Sequence, residues 1–533
     1  MAIVVARLWD FWISGNLQSV GKNLRKRKIE SSPEKAGYFW AGESLPFEEA
    51  CKHFVSIGST GSGKSITLNL LILSVISKMG RRDGVRRRAL IYDPKSDLGS
   101  FVAAIQPGVP IRIMNPLDKR FNPWDIAADV TGETEAFEFA SVLIPRSERE
   151  NSPYFSDVAR SLVAGVIKRF IATAAPAERM RWTLRDLVLA CESTQRLRAA
   201  LDYEGTRHLL EHFQPDNARN FAGVKSTLDN TMNLYRPIAA LSDAAKSPPV
   251  SIKRWIQEEE SVLILGNHEA AREATDTLNR LLFRQLSKSL IDRQGRIEGD
   301  ETWVFLDEVR EAGVLGGLRQ LLLRGRSKGV SVAMSLQDVE GMYAAYGRHE
   351  GAEIVGAAQN VAILHLNPSA PGTVELASKI FGSRRGRVAG HSESLTEERG
   401  STKNRHFELI PNVLPVEFVE LPMPGKRTGL HYFAFTNTGG FGRGHFPWRF
   451  LEEAGPLHLR KEGYADIEPQ TDGNAFQLRA WNKEDLTRLG MEEMEISLER
   501  NRSELTPQVP HSLETIHNTD YSNLRERSTP GSH

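Results

Sequence analysis

Residues 54–70 read FVSIGSTGSGKSITLNL, and this stretch decides the fold. Within it Gly58, Ser59, Thr60, Gly61, Ser62, Gly63, Lys64 and Ser65 give GSTGSGKS, the spacing G-x-x-x-x-G-K-S. Phe54, Val55 and Ile57 ahead of it suit a buried strand; Ile66, Leu68, Leu70 and Leu71 behind it suit a helix. Small residues let successive backbone N–H groups curl around an anion at a helix start, where the helix dipole also favours negative charge. In that setting Lys64 reaches the β- and γ-phosphates and the Ser65 hydroxyl ligates Mg²⁺. The stretch therefore predicts a site for ATP or GTP.

A second element adds turnover to binding. Residues 302–313 read TWVFLDEVREAG, an apolar run that ends in Asp307 and Glu308. In such folds the acid at the strand's C-terminal end faces the Mg²⁺ beside the phosphate loop, so Asp307 is the expected metal partner. Glu308 is then placed to orient or deprotonate the attacking water. Taken alone, the pair also fits a strand followed by a solvated acidic turn. With a phosphate loop in the same chain, it predicts a hydrolase.

Composition sets outer limits. A chain of 533 residues has room for roughly three or four domains and a large core. Its 40% hydrophobic and 25% charged residues fit a soluble globular protein. Two cysteines, Cys51 and Cys191, exclude a cysteine-rich zinc module or a disulfide scaffold and agree with a reducing cytoplasm. The net charge of +1 makes no electrostatic case for nucleic acid, so any such binding needs a local basic surface. Near the N-terminus, Ile3, Val4, Val5, Leu8, Trp9, Phe11, Trp12 and Ile13 form an apolar segment broken by Arg7 and Asp10. It is too short and too charged for one membrane span, and its basic cluster (22–28, KNLRKRK) follows the apolar part, unlike a secretory signal. Two readings stand: an interfacial segment on anionic lipid, or an amphipathic helix packed on protein.

Beyond the first motif, strands and helices alternate. Apolar runs at 88–92, 110–114, 261–265, 303–306, 330–334, 361–366 and 430–435 read as strands. The alternation predicts an α/β fold with a mainly parallel sheet covered on both faces. The rhythm breaks at about 129, where helical segments replace β-rich runs until about 247. After about 456 polar residues and scattered prolines predict a poorly ordered C-terminal tail with one helix over 482–500. The expected organisation is an amphipathic segment (1–30), a nucleotide-binding domain in two parts (31–128 and 251–455), an inserted all-α domain (129–250) and a polar tail (456–533).

An ordered set of motifs resembles the type IV coupling proteins of bacterial conjugation and type IV secretion. Asp93-Pro94-Lys95-Ser96-Asp97 matches that family's DP-K/N-x-(D/E) turn. Asn115-Pro116, and then Phe121-Asn122-Pro123-Trp124, match the motif that closes its next strand. The all-α insertion follows at the matching place. Asp307-Glu308, Gly325-Arg326-Ser327-Lys328-Gly329 and Gln337 complete the order. The resemblance covers about 53–447. It implies a RecA-like motor that assembles as a homo-hexamer, hydrolyses ATP with Mg²⁺, and links a relaxase–DNA complex to a secretion channel at the inner membrane. Expected partners are DNA, a relaxase or secreted protein cargo, and the channel's ATPases and inner-membrane components.

Many family members begin with two membrane-spanning helices, which this sequence lacks. The expected location is therefore cytoplasmic and peripheral at the inner membrane. The resemblance also places Arg326, with Arg324 as rival, as an arginine acting on a neighbouring subunit's γ-phosphate; a surface ion pair is the alternative. Gln337 is a candidate to sense the γ-phosphate or position water, against a polar strand end satisfied by backbone. Arg146, Arg149, Lys168, Arg169, Arg179 and Arg181 in the insertion are candidate DNA-phosphate contacts, with acids interspersed. Competing functions are a ring ATPase for double-stranded DNA pumping or channel assembly, and a nucleotide-gated cargo adaptor.

Overall fold

Short runs of β-branched and aromatic residues, stopped by proline, glycine or an acid, become strands here. The computed structural model describes residues 25–26, 37–145, 153–175, 180–267, 271–295, 298–393, 401–453, 457 and 459–493. In chain order its strands are β1 (Arg25–Lys26), β2 (Tyr38–Trp40), β3 (Glu43–Leu45), β4 (Phe54–Ile57), β5 (Arg86–Asp93), β6 (Ile111–Ile113) and β7 (Val262–Gly266). There follow β8 (Asp300–Leu306), β9 (Val330–Leu336), β10 (Asn360–Ile363), β11 (Ser383–Glu393), β12 (Ser401–Pro411), β13 (Leu430–Thr436) and β14 (Gly440–Phe446). Every run read as a strand from the sequence is one; the sequence gives no such run for β1, β2, β3, β11, β12 and β14.

Ten strands form one sheet in the order β1-β14-β13-β10-β4-β9-β8-β5-β7-β6. The stretch from β10 to β6 is parallel throughout. The β13–β14 hairpin adds antiparallel strands at the β10 edge. A parallel sheet must be covered on both faces, and the side chains divide by period two accordingly. Phe54, Ile91, Trp303, Phe305 and Ala333 face one core, with the helix Lys64–Ile76. Val55, Ile57, Val304, Leu306 and Met334 face the other, with the helix Arg272–Ile291. Trp303 anchors the first face, its ring 4.6 Å from Tyr38 and 5.9 Å from Phe305. Truncating it to alanine costs about 3–5 kcal/mol.

No strand of the described residues lies between β6 and β7. Helices Glu133–Leu143, Tyr154–Thr173, Leu184–Cys191, Thr194–Leu201 and Ala218–Ala244 fill that interval around a core of their own, with Phe170, Trp182, Leu187 and Tyr235. Asp129 ties the insertion's start to the return of the sheet: its buried carboxylate accepts from Ile252 N at 2.7 Å and Lys253 N at 2.9 Å, opening the helix Ile252–Glu258.

Residues 459–493, polar as they are, dock on both parts. Ser100 N donates to Asp466 Oδ1 at 2.7 Å, Trp481 Nε1 to Asp186 Oδ1 at 2.9 Å, and Leu486 and Leu489 are buried in the insertion's core. The polar composition hid this because the charges are paired, Arg488 bridging Asp186 and Asp485. The helix expected over 482–500 is Lys483–Leu489, capped by Asn482 and stopped by Gly490; positions beyond 493 lie outside the described residues. So does the amphipathic reading of 1–30, apart from Arg25 and Lys26. No described helix is long and apolar enough to cross a membrane.

Candidate functional site

β4 delivers the loop 58–63 to the C-terminal edge of the sheet, and the helix Lys64–Ile76 leaves from it. Gly63 caps that helix at φ +98°, and a Cβ there would fall 2.5 Å from Leu430 Cδ1. A Cβ on Gly58 would lie 2.4 Å from Ser62 Oγ. The first-turn amides of the helix have no intrahelical acceptor and face the loop. Lys64 is buried, and its ammonium donates to Gly58 O at 2.9 Å and Ser59 O at 3.1 Å. Burial lowers its pKa, opposed by the charges of Glu308 and Asp307. The buried Ser62 hydroxyl has no hydrogen-bond partner among the described residues.

β8 ends beside the loop because β9 alone separates it from β4. Asp307 is buried, and its carboxylate takes Ser65 Oγ at 3.2 Å on one oxygen and Ser335 Oγ at 2.6 Å on the other. Ser335 in turn accepts from Glu308 N at 2.8 Å. A hydrogen-bonded chain thus runs Ser65–Asp307–Ser335–Glu308 across three neighbouring strands. Glu308 sits in the left-handed region at φ +48°, a conformation costing a non-glycine residue about 1–2 kcal/mol. Its carboxylate is held by Lys95, Nζ to Oε1 at 2.9 Å. Burial would lower the Lys95 pKa, but the Glu308 hydrogen bond and the charges of Asp307 and Glu308 outweigh it and raise it. Lys95 stands on the turn after β5, where buried Asp93 accepts from Leu98 N at 2.9 Å and is itself pushed up to about 7 by burial.

These residues fit Mg²⁺ and a nucleoside triphosphate. Among the described residues no lysine or arginine forms a salt bridge with Asp307, so a buried carboxylate and a hydroxyl stand ready for a hard cation. No described cluster of three or more His, Cys, Asp or Glu could hold a metal unaided. Mg²⁺ bound through phosphates needs only one or two protein oxygens.

The other sequence-derived candidates fall in several places. Gln337 is exposed just past β9, next to Leu336, whose carbonyl accepts from Gly58 N at 3.1 Å. Arg326 and Arg324 are exposed at the opposite end of β9, the length of a seven-residue strand from their own loop. Lys168 pairs with Glu133 at 2.7 Å, Arg169 donates to the carbonyls of Ala199, Asp202 and Gly490, and Arg181 to those of Ala174 and Ala175. Each of these three candidate DNA contacts thus also has a partner within this protein. Arg146, Arg149 and Arg179 lie outside the described residues. Sequence reasoning missed the roles of Ser335 and Lys95. Ser335 was visible only as a polar residue ending an apolar run, and Lys95 only as part of a turn motif.

A left-handed glycine loop between strand and helix, with an acid pair one strand removed, defines a P-loop protein of RecA-like fold. Within that class, the model of the family described as type IV secretion-system coupling protein DNA-binding domain matches residues 38–424. The chain belongs to that family. The structure resembles the bacterial conjugative coupling protein TrwBdeltaN70 in unbound form, with TM-score 0.60 at 19% identity over 85% of this chain and 94% of that one. It also resembles the plasmid coupling protein TrwB in complex with ADP and Mg²⁺, with TM-score 0.57 at 19% identity over 85% and 93%. TrwB in complex with the non-hydrolysable ATP analogue ADPNP gives TM-score 0.58 at 19% identity over 85% and 94%. At this identity the likeness speaks for the fold. No curated protein sequence matches the chain at a significant level.

Proposed function

We propose that this chain is the ATP-hydrolysing coupling protein of a type IV secretion system, linking a relaxase–DNA complex to the channel and driving DNA or protein transfer in conjugation. The observation that carries the reading is the Ser65–Asp307–Ser335–Glu308 chain beside the phosphate loop. The loop amides and Lys64 hold the β- and γ-phosphates, and Ser65 and Asp307 would hold Mg²⁺, which when bound neutralises phosphate charge. Glu308 orients the attacking water and takes its proton as the water oxygen bonds to the γ-phosphorus. The bond from that phosphorus to the bridging oxygen breaks, leaving ADP and phosphate. Gln337, just past the end of the strand between loop and base, senses the γ-phosphate or positions the water. Arg326 acts from a neighbouring copy in a homo-hexamer, since its own loop lies at the other end of β9. The protein works at the cytoplasmic side of the inner membrane, attached peripherally, with DNA, relaxase or other cargo, and the channel's ATPases and membrane components as partners.

Steady-state phosphate release with and without single- or double-stranded DNA tests this. We expect DNA-stimulated hydrolysis by the parent and none by Lys64→Ala. Glu308→Gln should bind nucleotide at near-parent affinity but not turn it over. Slow hydrolysis indifferent to DNA would point to a cargo adaptor or assembly factor. Parent-rate hydrolysis by Glu308→Gln would remove Glu308 as base.

A further inference from the structure

We propose that Lys95 is a positioning residue that latches Glu308: while the ammonium holds the carboxylate, water is not activated, and the latch opens in each turnover. The inference rests on Glu308 being the base proposed above. The pair is made at 2.9 Å between residues 213 apart in sequence. The carboxylate oxygen bonded to the ammonium is turned away from other partners, the attacking water included.

Both backbones that carry the pair are fixed. On the Lys95 side, Asp93 accepts the amides of Asp97 at 3.3 Å and Leu98 at 2.9 Å. Pro94 sets its own φ, and Ser96, at φ +54°, ties its hydroxyl to Asn267 O at 3.0 Å. On the other side, the Glu308 amide is bound to Ser335. Opening therefore takes side-chain rotation alone, and the surroundings allow it. The Lys95 and Glu308 side chains are 45% and 29% exposed. Both line one cavity of about 590 Å³, with Ser96, Asn267 and Ile467. A half-wet ion pair is weak, so thermal motion suffices to break it. The Lys95 charge is also felt at Lys64, which places it within electrostatic reach of the phosphate cradle.

Lys95→Met keeps most of the stem and removes the charge. Its basal kcat is expected to rise about two- to fivefold, the factor set by a partly exposed ion pair, with KM within about threefold of the parent. Lys95→Arg, which restores the cation, is expected to return kcat to the parent value. Binding of a fluorescent ADP analogue, read on the same proteins, should not change. A kcat for Lys95→Met that is level or falls overturns the latch; so does a KM raised more than about tenfold, which would make Lys95 a phosphate ligand. Lys95→Gln gives the same reading should the methionine variant fail to fold. Glu308→Gln, run alongside, separates the failures. If it turns over at the parent rate, the base assignment is wrong. If it is inactive while Lys95→Met is no faster than the parent, the latch alone is wrong.

Discussion

Ser335→Ala removes one oxygen from the centre of the site and tests whether that site is aimed from β9. Ser335 is fully buried, donates to Asp307 at 2.6 Å and accepts from Glu308 N at 2.8 Å. The first bond involves a charged acceptor, worth about 1.5–3 kcal/mol, and its loss leaves a buried carboxylate oxygen unsatisfied. If that amount is felt only in the transition state, it corresponds to about a 10- to 150-fold loss of kcat. The missing contact to the Glu308 amide also frees a residue held at φ +48° to relax away from the water it must meet. The assay is steady-state phosphate release, paired with titration of a fluorescent nucleotide analogue and a thermal melt. Expected are a fall in kcat within that range, nucleotide affinity within about threefold without Mg²⁺, and a modestly lower Tm. A kcat within twofold of the parent, in protein shown to be folded, would refute the reasoning, because Asp307 and Glu308 would then be set without Ser335.

Mixing Arg326→Ala subunits with Lys64→Ala subunits should restore part of the hydrolysis lost in each alone, since only mixed rings bring an intact loop to an intact arginine. No recovery in rings shown to be mixed removes Arg326 from the mechanism. Asp93, pushed up from 3.8 to about 7 by burial, holds a proton in the folded chain that the unfolded chain releases. Stability should therefore decline as pH rises from about 4 to about 7 and level off above. Asp93→Asn should flatten that part of the profile in urea midpoints, and an unchanged slope would show that the carboxyl is ionised throughout. Ending the chain after 493 should leave hydrolysis intact, and loss of cargo transfer in the same protein would assign 494–533 to cargo. Ending it after 456 strips Leu486 and Leu489 from the insertion's core. At about 2 kcal/mol per leucine this lowers Tm by roughly 10 °C, checked by thermal melting.

What the sequence discloses follows from how local each feature is. The phosphate loop is contiguous, and strand, turn glycines and helix each obey a short-range rule, so residues 54–70 could be read complete. The buried strands were legible for the same reason: a parallel strand covered on both faces is an unbroken apolar run. β14, GFGRGHF, has no such run, and its strand character comes from pairing residue by residue with β13. Residues 459–493 misled in the opposite way, because their polarity is spent in ion pairs with Asp186 and Arg120, and in a backbone hydrogen bond to Asp118, that only the fold brings near.

The site itself divides along the same line. Lys64, Ser65, Asp307 and Glu308 sit in motifs, but the groups that hold them belong to the sheet order. β9 lies between β4 and β8 with Leu306 opposite Met334 and Ile57 opposite Leu336. The side chain between those two positions, Ser335, is therefore delivered into the gap between the phosphate loop and the metal acid. β5 lies on the far side of β8, so the turn that follows it, with Lys95, meets the residue after that acid. Once the strand order is known, the Ser335 contact follows from register, since a one-residue slip would turn that side chain into the opposite core, while the Lys95 contact also needs the turn that Asp93 and Ser96 fix.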